Sequence, residues 1–217
     1  MTTYTVDLYK QIIIPFAEKS SRLQVISGYA SAAFLKRVLQ QFSHLQINLY
    51  IGMTHQGISQ QDHELYCALT KQANGICVYY QVTPVPNHMK ILRFECENNM
   101  HTFVGSANFS ENGFLYQREI MAEIDESLQH LFDEQHKNSL LCTDEKVASL
   151  ISFFQGHYEA RNEVEEQQLV KENDMEQPKE DDFEEVYAYK QRYLELCEEV
   201  RENQTSYMNE FSIELVL

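Results

Sequence analysis

At 217 residues, with 43% hydrophobic side chains, 13 Tyr and 12 Phe, the chain is too apolar for wholesale disorder and fits one domain of about 160 residues plus an appendage. The net charge of −16 does not exclude a polyanionic ligand, because residues 1–120 hold nine Lys/Arg against eight Asp/Glu while residues 121–217 hold eight against 25, and phosphate attraction depends on local placement. No apolar window reaches the length of a membrane span, Met1 to Asp7 lacks a secretion leader, and the scattered Cys67, Cys77, Cys96, Cys142 and Cys197 exclude a disulfide framework or zinc ribbon, so a soluble, cytoplasmic protein with reduced thiols is expected.

Apolar runs rich in β-branched and aromatic residues predict strands at Leu23 to Tyr29, Leu45 to Ile51, Ile76 to Val82, Met89 to Phe94, His101 to Val104 and Glu119 to Ile124. Between the first three lie helical stripes, Ala32, Ala33, Leu35, Val38 and Leu39 in one, Leu65, Ala68 and Leu69 in the next. This alternation predicts an α/β architecture around a central sheet, and the nearly unbroken apolar runs at 45–51 and 76–82 fit strands covered on both faces. Ser27-Gly28 falls where a strand should turn into a helix. After Asp125 the stripes Leu128, Leu131, Phe132 and then Val147, Leu150, Ile151, Phe154, Tyr158 predict helices lying on one face of the sheet. Residues 163–185 are acidic and polar around Pro178 and read as a linker; Tyr187 to Val200 fits a short amphipathic helix, and Phe211 to Leu217 alternates like a strand. The expected division is therefore 1–162 and 163–217.

The stretch that carries chemistry is Asn87-His88-Met89-Lys90-Ile91-Leu92-Arg93-Phe94-Glu95, followed by Gly105-Ser106-Ala107-Asn108. On a strand, His88 and Lys90 share a face, because side chains alternate with period two. A neutral imidazole nitrogen can attack phosphorus while a nearby cation and hydrogen-bond donors hold the non-bridging oxygens. Ser106 and Asn108 would supply the neutral donors, and Gly105 would let the backbone approach.

The pattern His-x-Lys, four residues, an acid, then Gly-Ser-x-Asn resembles the motif of the phospholipase D superfamily. Glu95 stands where that family has Asp, in a role that supports the motif. Gln117-Arg118-Glu119 stands where related nucleases carry Asn-x-Glu, which implies that Glu119 orients His88. A single motif in a short chain, together with Gly28-Tyr29-Ala30-Ser31 at the end of the first strand, is similar to the NgoFVII-type restriction endonucleases over roughly residues 1–160. The resemblance implies a phospholipase D-like mixed β-sheet covered by helices on both faces. It also implies a catalytic set of His88, Lys90, Ser106, Asn108 and Glu119, DNA as substrate, and hydrolysis without metal or other cofactor. Two motifs make one site in that superfamily, so the resemblance further implies a homodimer in which one His88 becomes phosphorylated and the other acts as acid and base. Members join the nuclease domain to a C-terminal recognition pseudobarrel, whose first strand Phe211 to Leu217 could be, making this chain a fragment.

Blander readings stand beside these. A lone His-x-Lys pair is common, and only its combination with the spaced acid and Gly-Ser-x-Asn carries a signal. His44, His55, His63, His101, His130, His136 and His157 form no cluster with metal-ligand spacing. Lys36, Arg37, Arg93 and Arg118 either line a phosphate groove or are ordinary solvated charges. The acidic segment after Glu163 either links or covers the cleft as a DNA mimic. The competing functions are a lipid-processing phospholipase D or phosphatidyltransferase, which shares the chemistry, and a noncatalytic phosphate-binding module.

Overall fold

The computed structural model describes residues 2–155 apart from 73, 74 and 98. The acidic segment, the stretches 187–200 and 211–217 expected to form a helix and a strand, and Tyr158, His157 and Cys197 lie outside the described residues. Strand β1 (Thr2–Tyr4) leads through a π-helical turn (Tyr9–Ile13) into α1 (Ile14–Ala17), and β2 (Ser20–Ser27), α2 (Ala32–Gln41), β3 (Gln46–Ile51), the two-residue β4 (Ile58–Ser59), α3 (Gln60–Gln72) and β5 (Ile76–Gln81) follow. Next come β6 (Ile91–Cys96), β7 (Met100–Gly105), a second π-helical turn (Asn112–Tyr116), β8 (Met121–Ile124), α4 (Gln129–Lys137), β9 (Ser139–Leu141), α5 (Val147–Leu150) and β10 (Phe153–Phe154).

Eight strands form one mixed sheet in the order β1-β8-β7-β6-β2-β3-β5-β9. The crossovers through α2 and α3 make β2, β3 and β5 parallel, whereas β6, β7 and β8 form an antiparallel meander on the other side of β2. Register brings distant segments to one end of the sheet. Ile91 pairs with Ile26 and with Val104, and Gly105 pairs with Met121, so the residues before β6, after β2, after β7 and before β8 all emerge together. The chain leaves β2 in one direction and returns to it from the other, the kind of switch point at which open α/β sheets form clefts.

Alternation along the strands feeds two cores. Leu23, Val25, Ile47, Leu49, Val78 and Phe103 join α1, α2 and α3 residues such as Ala17, Phe34, Val38 and Tyr66 on one face. Ile26, Tyr50 and Ile91 pack on Phe132 of α4 on the other. Helices therefore cover both faces, as expected. The helices after residue 125 do not share a face, however, since Val147 and Ile151 belong to the larger core. The stripe expected to run helically to Tyr158 also breaks early. Ile151 is extended, and Phe153 and Phe154 pair in parallel with Ile58 and Ser59 of β4; the spacing of apolar residues fits an edge strand here as well as a helix. Among the described residues no helix is long and apolar enough to cross a membrane.

Candidate active site

Strand β6 begins at Ile91, so His88 and Lys90 sit in the extended lead to a strand rather than on one. Pro84 and Pro86 precede them and donate no N–H, which delays the ladder. The expected same-side placement nevertheless holds in space: Lys90 Nζ lies 2.9 Å from His88 Nδ1, 3.0 Å from Nε2 and 2.8 Å from the His88 carbonyl oxygen it donates to. Lys90 is buried, and its backbone oxygen accepts from Gly105 N–H at 3.2 Å, while the imidazole is exposed at the mouth.

Two conditions favour a neutral imidazole. Partial burial lowers the pKa of His88 below 6.5, and the Lys90 charge lowers it further. Burial also lowers that of Lys90, with Glu119 opposing the shift. The back of the imidazole rests on Gly28, where an added Cβ would lie 2.6 Å from His88 Cδ2; close approach, not turn geometry, demands glycine there. The Tyr29 ring meets the imidazole edge-on with centroids 5.7 Å apart, and its hydroxyl donates to Gln56 Oε1 at 2.6 Å.

Ser106 and Asn108 follow β7. Asn108 Oδ1 accepts from Tyr29 N–H at 3.3 Å, which turns the amide so that Nδ2 is the donor on its other side. Ser106 Oγ donates to Glu119 Oε2 and accepts from Ile120 N–H at 3.1 Å, so its proton is already engaged. Glu119 was expected to hold His88; its hydrogen bond goes to Ser106 instead, and its influence on the motif passes through the charge of Lys90. The distance is set by β8, which begins only at Met121 and leaves Glu119 beside Ser106. The five expected residues thus converge on one end of the sheet by these links.

Glu95 lies outside the site, pairing with Arg93 at 3.4 Å and Arg22 at 3.5 Å. Arg93 corrects another expectation. It is 2% exposed, donates to Ser127 O at 3.1 Å and to Gln24 Oε1, and lies 4.8 Å over the Phe132 ring, so it cannot line a groove. It follows Lys90 by three residues and points to the opposite face. Lys36 and Arg37 are exposed on α2, and Arg118 is exposed beside Glu119. His101 bonds Glu123 at 2.6 Å, His63 bonds Tyr80 at 3.1 Å and His136 bonds Tyr50 at 3.2 Å. Among the described residues no group of three or more His, Cys, Asp or Glu side chains is placed to hold a metal ion.

Two open clefts flank the site. One of about 580 Å³ runs from His88 past Val85, Asn87 and Gln135; the other, of about 640 Å³, holds Ser106, Arg118 and Glu119 with Val6 and Ile120. The sequence pattern missed Tyr29 as a neighbour of the imidazole and missed Gln135 altogether. The signal for Gln135 was its place four residues after Leu131 and three after Phe132 on the apolar stripe of α4, where a polar side chain is out of pattern.

Residues 6–149 match the family described as NgoFVII restriction endonuclease N-terminal PLD domain. No curated protein matches the sequence. Among solved structures, NucT from Helicobacter pylori is 12% identical, over 64% of this chain and 97% of that one, with a TM-score of 0.48. Nuc from Salmonella typhimurium, a phospholipase D family member, is 10% identical over 61% and 89%, with a TM-score of 0.47. Polyphosphate kinase from Porphyromonas gingivalis is 12% identical over 80% of this chain and 28% of that one, at 0.48.

Proposed function

The chain belongs to the NgoFVII restriction endonuclease N-terminal PLD domain family, and from that premise we propose that it is an endodeoxyribonuclease whose active site is completed by a second copy of the chain. The observation that carries this reading is the contact of Lys90 Nζ with the exposed, neutral-leaning imidazole of His88. A phosphodiester seated there meets a nucleophile and a cation together.

In the first step a ring nitrogen of His88 attacks phosphorus. The P–N bond forms as the bond to the leaving deoxyribose oxygen breaks, and the partner's His88, protonated, gives that oxygen its proton. In the second step the partner's imidazole, now neutral, takes a proton from water, whose oxygen attacks phosphorus as the P–N bond breaks, so that both rings return to their starting states. Lys90 from each copy and the Asn108 amide neutralise the non-bridging oxygens, so the mechanism assigns no step to a metal. The Glu119 charge favours the charged form of Lys90 against the opposing effect of burial.

The twofold arrangement draws support from the surface. Of six large apolar side chains exposed among the described residues, Val85 lines the His88 cleft, Val6 and Ile120 line the Glu119 cleft, and Tyr116 lies in sequence between two residues that line it, Leu115 and Gln117. A ring of exposed apolar groups around a half-site suits a self-complementary contact. Neither cleft holds a basic side chain besides Arg118, which fits an interface better than a DNA track.

The test combines cleavage of duplex and single-stranded DNA in EDTA, acid-labile trapping of phosphate on protein, and a solution mass. Cleavage in EDTA by a dimer carrying a histidine-bound phosphate is expected. Loss of cleavage on chelation, or turnover of phospholipid with none of DNA, would overturn the reading.

A further inference from the structure

The segment that carries His88 has few ties of its own. Between β5 and β6 the chain runs from Val82 to Lys90 outside the sheet, and Pro84 and Pro86 remove two of its N–H groups. Buried side-chain amides take over. Gln81, 4% exposed, donates from Nε2 to the Val85 carbonyl. Gln135, 3% exposed on α4, donates from Nε2 to Gln81 Oε1 at 3.0 Å and to Ser139 Oγ at 3.1 Å, and its Oε1 accepts from Asn87 Nδ2. Asn87 then accepts Met89 N–H on Oδ1 at 2.8 Å, closing a turn around His88. Its own N–H donates to Gly52 O at 3.2 Å, against a glycine whose Cβ would lie 2.0 Å from Asn87 O.

We infer that Asn87 and Gln135 are positioning residues for His88, with the Gln135 amide fixing Asn87 and Asn87 fixing the peptide units on both sides of the imidazole. A buried amide on an otherwise apolar helix stripe needs such a use, because its desolvation is offset only by a full set of partners. All four polar atoms involved, Gln135 Oε1 and Nε2 and Asn87 Nδ2 and Oδ1, have one. The chain of bonds runs from α4 through Gln135 and Asn87 to the turn that presents the imidazole to Lys90. The inference rests on reading His88 as the nucleophile.

The test uses the full chain with Gln135→Met, which keeps the volume but no amide, Asn87→Ala in the half-buried turn, and the double variant. Each single change is expected to lower kcat on DNA by about 10- to 100-fold with KM within about threefold, since the group that reacts is displaced and not the binding surface. The double variant should lose no more than either single, as two links of one chain do. In nitrogen-15 spectra the His88 ring resonances should move alike in both variants while the core stays folded. Unmoved His88 resonances in folded variants, or additive losses, overturn the inference. Should the wild-type chain not cleave DNA, the functional reading fails, and the ring resonances still decide this one.

Discussion

Lys90 Nζ touches both ring nitrogens of His88, at 2.9 and 3.0 Å, and so acts on the imidazole as a charge, beside the role on phosphate proposed for it. Burial and then Lys90 push the His88 pKa below 6.5, so the ring is neutral above the shifted value and the acid limb of kcat/KM lies below pH 6.5. Replacing Lys90→Met removes the second cause and leaves the first. The limb should move up toward 6.5, and kcat should fall by about 10²- to 10⁴-fold as phosphate neutralisation is lost. A pH–rate profile with an unmoved acid limb would show that Lys90 does not tune His88.

Glu119 is tested on the titration of Lys90. Its charge raises the Lys90 pKa against the lowering by burial. Glu119→Gln keeps an acceptor for Ser106 Oγ but removes the charge, so the Lys90 pKa should fall further, read from the Nζ resonance in nitrogen-15 spectra. If Glu119 acted directly on His88, the acid limb of kcat/KM would move instead. The two titrations separate the expectation drawn from the motif from the link found in the fold.

Gly28→Ala tests the support behind the imidazole. The new Cβ would lie 2.6 Å from His88 Cδ2 and 3.3 Å from Met53 Cγ, and the exposed imidazole is the group that can give way. A displaced nucleophile should cost about 10- to 100-fold in kcat with little change in melting temperature. Unchanged kcat, measured beside a thermal melt, would mean that the ring has another productive position.

How much of this was legible in the sequence follows from which signals are local. The six predicted strands and the α2 and α3 stripes depend on runs of neighbouring residues, and each coincides with an element whose ends are displaced by a few residues. The joining of His88, Lys90, Ser106, Asn108 and Glu119 was legible because fixed spacing carries it. Neither reading left open for Arg93, groove residue or solvated charge, holds, because the strand's period sends it from Lys90 to the α4 side, where it is 2% exposed. Gln135 as the partner of Asn87 and Tyr29 as the neighbour of His88 were unreadable, since these contacts cross 48 and 59 residues of chain. The edge strand at Phe153–Phe154 pairs with only two residues of β4, too short a run for periodicity to identify.

A twofold site makes a quantitative prediction about mixed subunits. If each dimer holds one site that needs His88 from both copies, a dimer with one His88→Ala subunit is inactive. After subunit exchange at equal amounts, about one quarter of the dimers are wholly wild type, so activity should fall to about a quarter of the all-wild-type level at the same total protein. A fall to one half would indicate that each subunit works alone. Tyr116→Glu with Ile120→Glu should lower the solution mass and the activity together, since both side chains are exposed, 72% and 49%, and Ile120 lines the Glu119 cleft.

The placement of Arg93 separates stability from catalysis. Its guanidinium is 2% exposed and serves Ser127 O, Gln24 Oε1 and the partly exposed Glu95. Arg93→Met fills much of the same volume and keeps the contact with Phe132, but it strips the buried Gln24 Oε1 and the Ser127 carbonyl of their donor. Denaturant unfolding should show a loss of about 2 to 4 kcal/mol. Glu95→Gln, at a carboxylate 27% exposed, should cost no more than about 1 kcal/mol, because solvent screens that end of the pair. Neither variant should change kcat or KM of the folded fraction, since both side chains lie on the far side of the strand from Lys90. A raised KM in Arg93→Met with unchanged stability would return Arg93 to the phosphate groove and show that the strand's alternation does not hold in the working enzyme.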